Sequence, residues 1–160
     1  MKTTSKMYEG YSENAKEKLR CADSLDFISC VSLYDEVISS FPEPPYAYAK
    51  RGYAKYKNGD FLEAIADFDE AIERRPKAAN TIWQRAIAKW KLDDNTAALN
   101  DFKLYLGIKP QDEEAYYWMG RVSESIGDNY LAIDYYNQAL QIKNDYEDAL
   151  LRIQILRTEK

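Results

Sequence analysis

A spacing of 34 residues recurs along this chain of 160 and limits what it can fold into. Pro42, Pro76 and Pro110 stand at that interval, and Asn144 takes the next place in the series. Gly59-Asp60, Asp93-Asp94 and Gly127-Asp128 repeat with the same period, as do Tyr34, Phe68, Phe102 and Tyr136. Ala64, Ala98 and Ala132 share one slot, with Cys30 as its first occupant, and Ala71 is matched by Ala139. The most regular copy covers 44–76. In its first half Tyr48, Gly52 and Tyr56 recur every four residues. After an Asn58-Gly59-Asp60 turn, Phe61, Ala64, Ile65, Phe68, Ala71 and Ile72 fall on one helical face. Glycine inside a helix is unfavourable unless another helix packs closely against it. Ala64 and Ala71 mark where that helix arrives. A two-helix unit of this size cannot bury its apolar face alone, so the copies must stack on one another.

With Gly, Ala, aromatic and Pro at these offsets, the chain resembles the tetratricopeptide repeat family. The resemblance implies an all-α fold, a right-handed α-solenoid of antiparallel helix pairs forming one domain over 1–160. Repeats are expected at about 11–44, 45–78, 79–112 and 113–146, followed by a capping helix at about 146–158. About nine helices result, predicted at 7–22, 26–41, 45–58, 61–75, 79–92, 95–108, 113–126, 129–143 and 146–158. Residues 1–6 are polar and expected to fray. Pro42, Pro44 and Pro45 break the chain after the first repeat, whose second helix carries an apolar stripe running from Phe27 to Phe41. Asp60, Asp94 and Asp128 are placed to cap the second helices of their repeats. In the last helix Ala149, Leu150, Ile153 and Ile155 are expected to face the array, with Arg152, Arg157 and Lys160 outward, as a solvating cap requires.

Composition removes several functions. Net charge is −5, which disfavours a sequence-independent grip on nucleic acid. The start, MKTTSKMYEG, lacks the apolar stretch of a secretory signal, and no run approaches the roughly 18 apolar residues of a membrane span. Cys21 and Cys30 suggest reduced thiols in a cytoplasm, with Cys30 as a small buried group. There is no histidine, so the usual zinc ligand and the usual general base are missing. No Gly-rich phosphate loop, GxSxG or CxxC occurs, and no catalytic residue, metal or cofactor is expected. Acidic pairs such as Asp93-Asp94 and Asp112-Glu113 sit at turns and helix starts, where capping accounts for them.

Three slots vary together. The second and third repeats carry Arg51 and Arg85 just before the Gly slot, Lys55 and Lys89 four residues later, and Asp67 and Asp101 before the second-helix aromatic. The fourth repeat replaces all three, with Met119, Ser123 and Tyr135, and the first has Glu17, Cys21 and Leu33. Slots that switch together within one chain are expected to touch. Arg51 or Lys55 should pair with Asp67, and Arg85 or Lys89 with Asp101, as internal ties rather than as a binding site.

In the family that the chain resembles, the first helices of successive repeats line a groove for peptides or partner helices. Carried over, that geometry exposes Tyr46, Lys50, Tyr53, Tyr56 and Lys57 from the second repeat. It exposes Trp83, Ile87, Trp90 and Lys91 from the third, and Tyr117, Trp118 and Arg121 from the fourth. Tyr48, Ile82 and Tyr116 already supply the apolar contacts a first helix needs. Aromatics flanked by cations are what interfaces enrich for. The expected partner is a protein or peptide with apolar or aromatic anchors and some acidic character. Some relatives clamp a chaperone's C-terminal carboxylate with Lys, Asn, Asn, Lys and Arg slots, in that order. Here those slots hold Ala15, Leu19, Lys50, Asn80 and Gln84 in one frame, and Ala49, Tyr53, Gln84, Glu114 and Trp118 in the other, so that ligand is disfavoured. The expected function is a cytoplasmic, non-catalytic interaction module: an adaptor, a chaperone or a neutralising partner of a toxin or effector. The alternative is self-assembly through the same aromatics, the chain otherwise being a monomer or weak homo-oligomer.

Overall fold

The computed structural model describes residues 11–27, 29–40 and 45–158. Among them are nine α-helices: α1 Glu13–Ser24, α2 Cys30–Ser40, α3 Pro45–Asn58, α4 Phe61–Arg74, α5 Ala79–Lys91, α6 Asn95–Leu106, α7 Glu113–Ser125, α8 Asn129–Ile142 and α9 Glu147–Thr158. No strand occurs among the described residues. The fold is an all-α helical repeat. The fraying expected for 1–6, the breaks at Pro42 and Pro44, and the places of Met7, Phe41 and Lys160 lie outside the described residues.

Two compact units divide the chain, 1–88 and 89–160. In the first, α1 packs on α2, α2 on α3 and α3 on α4. Its core joins Leu19, Tyr34 and Val37 to Ala47 and Ala54, and a second cluster joins Ala64 and Phe68 to Ala88. Gly52 does what its position demands: a Cβ there would lie 2.9 Å from two ring carbons of Phe68 and 3.1 Å from the Ala64 carbonyl. Cys30 is buried as expected, whereas Cys21 is exposed. In the second unit, α6 packs on α7, α7 on α8 and α8 on α9, over a core that includes Ala132, Tyr136, Ala149 and Ile153.

Local chemistry moved several predicted boundaries. Ser12 accepts a hydrogen bond from the Ala15 N–H, so α1 begins at Glu13 and residues 11 and 12, predicted as helix, precede it. Asp26 accepts from the Ser29 N–H at 3.0 Å and so precedes α2 rather than opening it. Asp94 and Asp128 cap α6 and α8 through their carboxylates, but Asp60 makes no side-chain cap bond to α4. In α9 the inward face is Ala149, Ile153 and Leu156, with Leu150 48% and Leu151 55% exposed. Arg152 turns inward as well, because Glu124 on α7 pairs with it.

The three repeat turns share a left-handed residue: Gly59 at φ 92°, Gly127 at φ 77°, and Asp93 at φ 59°. A side chain pays a steric cost there that glycine does not. Asp93→Gly is therefore expected to raise stability by about 0.5–1 kcal/mol, since the native backbone already suits glycine better. An unchanged or lower urea midpoint would contradict this.

Candidate functional site

The first unit holds a cleft of about 570 Å³ between α3 and the start of α5, with the end of α4 at its floor. Tyr46, Ala49, Lys50 and Tyr53 form one wall, and Asn80, Thr81 and Gln84 form the opposite one. These are successive first helices, and a spacing of three to four residues puts each set on one face. Ala71, Ala78 and Ala79 leave the space between them open. Arg75, the residue that ends α4, supplies a cation that the sequence reading did not single out.

Tyr46 is only 9% exposed, and its ring forms a wall rather than a projecting anchor. Its hydroxyl donates to Asp23 at 2.7 Å, as does that of Tyr34, and Lys50 lies 3.2 Å from the same carboxylate. Burial alone would raise the Asp23 pKa, but the donated hydrogen bonds and the Lys50 charge outweigh it, so the carboxyl titrates below its ordinary value. A similar arrangement recurs in the second unit. There Tyr136 donates to Glu124, which Arg152 also holds. Burial opposes ionisation of Glu124 too, and the hydrogen bonds from Arg152 and Tyr136 again hold its pKa down. The sequence signal was present: Tyr34 and Tyr136 stand where Phe68 and Phe102 do, and a buried hydroxyl needs an acceptor.

The other expected groove residues fall into two aromatic rows, one per unit. In the first, Phe27 meets Tyr53 edge-on at 5.7 Å, Tyr53 stacks on Tyr56 at 6.3 Å, and Lys57 reaches over Phe27 and Tyr53. Trp83 is half-buried, and Ile87 is 9% exposed and offers little contact area. In the second, Trp90 meets Trp118 edge-on at 5.1 Å and donates its indole N–H to Ser125 at 3.0 Å, with Lys91 over its ring. Tyr117 joins Trp118 to Tyr146 and accepts a long bond from Arg121. Burial, then the charge of Glu114, pushes the Tyr146 phenol up to about 12. Edge-to-face pairs of this kind contribute about 0.5–1.5 kcal/mol each beyond burial, so these rings hold helices together as well as facing outward.

The ties expected from the covarying slots are present. Arg51 donates through two nitrogens to both oxygens of Asp67, at 2.9 and 2.5 Å, and Lys55 lies 2.8 Å from the same carboxylate. Arg51 also reaches Asp35, and Arg85 reaches Asp69, each at 2.6 Å. Lys89 pairs with Asp101 at 2.8 Å. Among the described residues, no group of three His, Cys, Asp or Glu side chains could hold a metal, and no helix is long and apolar enough to cross a membrane.

Residues 45–78 and 113–146 each match a family model described as Tetratricopeptide repeat. Each of these stretches is a tetratricopeptide repeat, the unit of a class of protein-interaction and scaffold modules that generally do no catalysis. Among solved structures it resembles residues 41 to the end of MamA from Desulfovibrio magneticus, at TM-score 0.82 and 17% identity over 92% of this chain and 86% of that one. It also resembles a tetratricopeptide repeat protein from Parabacteroides merdae, at TM-score 0.82 and 20% identity over 91% of this chain but 59% of that one. The OM64 TPR domain of Arabidopsis matches at TM-score 0.66 and 23% identity, over 74% of this chain and 98% of that one. No curated protein matches the sequence.

Proposed function

We propose that this protein is a non-catalytic, cytoplasmic adaptor that binds a segment of a partner protein, with the cleft between α3 and α5 as the entry site. The observation that carries this reading is the cleft itself: it is open, floored by alanines, walled by two tyrosines and edged by amides and cations. Such a surface offers an apolar side chain a place to be buried and a backbone several hydrogen-bonding partners. The half-exposed rings of Tyr53 and Tyr56, on the same helix as one wall of the cleft, extend the apolar area available to a partner.

Filling the cleft tests the reading with little effect on the core, because Ala49 is on its wall and only partly buried. Peptides selected from a random display library on the immobilised chain should lose at least about five-fold in affinity for Ala49→Glu, the loss of one good contact. Circular dichroism should show the variant's helix content unchanged. Selected peptides that bind native and Ala49→Glu protein equally would place the interaction elsewhere.

A further inference from the structure

Resting on the reading of this cleft as a partner site, we infer that Arg75 selects the partner's charge, taking a side-chain carboxylate of an acidic segment whose apolar neighbour lies on the alanine floor. Two cations line the cleft and no carboxylate does. Lys50 is already matched by Asp23, which also accepts from Tyr34 and Tyr46. A carboxylate approaching Lys50 would meet the Asp23 charge at close range.

Arg75 is differently placed. Its backbone N–H closes α4 by bonding the Ala71 carbonyl at 3.0 Å, while its side chain is exposed at the cleft and pairs with no carboxylate of the described residues. A guanidinium matches a carboxylate with two parallel N–H donors, and it loses little hydration in doing so. Asn80 and Gln84 can donate amide hydrogens to the same segment. Anion recognition then comes from the end of a second helix, not from the first-helix slots that hold Ala15, Leu19, Lys50, Asn80 and Gln84.

The probe is a fluorescein-labelled peptide of alternating alanine and glutamate around one central phenylalanine, compared with the same peptide carrying glutamine for each glutamate. Anisotropy titration of the full chain should show the acidic peptide bound about five-fold more tightly at low salt, as an exposed ion pair allows. Added salt should narrow the gap. Arg75→Gln should abolish the preference, and Lys50→Gln should keep it. Equal binding of the two peptides by native protein would overturn the role of Arg75 while leaving the cleft reading intact, and so would a preference that survives Arg75→Gln. Failure of both peptides to bind would overturn the cleft reading and the inference with it.

Discussion

Gly120→Ala is expected to lower stability by about 2 kcal/mol, although glycine to alanine inside a helix ordinarily raises it by about 1. The reversal of sign follows from what faces the position. A Cβ on Gly120 would lie 2.7 Å from two ring carbons of Tyr136 and closer still to a third. Tyr136 is fully buried, and its hydroxyl is tied to Glu124, which Arg152 holds in turn. The ring therefore cannot slide aside without breaking that tie. Gly52 meets Phe68 at 2.9 Å, and Phe68 has no hydroxyl to anchor it, so Gly52→Ala should cost less. The third repeat carries Ala86 in this slot, which shows that one methyl is compatible with the fold when the facing ring permits. Urea unfolding of both variants gives the comparison. A Gly120→Ala protein as stable as the native chain would mean that the two helices separate easily, and the close packing would then not be what fixes glycine there.

The helices and their register were legible because the 34-residue period states the same pattern several times over, so each copy corrects the others. Boundaries failed where a cap decides them and the first copy differs from the rest, as at Ser12 and Asp26. The inward face of α9 was read in part: Ala149 and Ile153 are buried as expected, but Leu156 is buried and Leu150 is not. Internal ionic contacts were recoverable from slots that change together. The cleft was legible only in part. Its walls follow from first-helix spacing, but Arg75 comes from the end of α4, where repeat periodicity carries no message about side-chain direction. The aromatic rows show a different limit. The family's first-helix geometry marks Trp90, Tyr117 and Trp118 as groove-facing, yet cannot say that they pack on one another.

Asp67→Ala should cost about 2–3 kcal/mol, whereas replacing the whole tie should cost about 1 or less. Asp67 is 3% exposed and carries both Arg51 and Lys55. Truncating it leaves two half-buried cations facing each other, with only Arg51 keeping a second partner in Asp35. That is the expensive half of removing an ion pair. The cheap half is visible in the fourth repeat, where Met119 and Ser123 are buried in the corresponding slots and Ser123 satisfies itself on the Met119 carbonyl at 2.9 Å. Transplanting that set, as Arg51→Met with Lys55→Ser and Asp67→Tyr, removes charge and partner together. If the triple variant unfolds as easily as Asp67→Ala, the ionic set does more than match its own members. A triple variant close to native would mean instead that the second and third repeats keep their charges for register. Each cation that also reaches the preceding repeat, Arg51 to Asp35 and Arg85 to Asp69, links neighbouring copies in one alignment and penalises a slipped one.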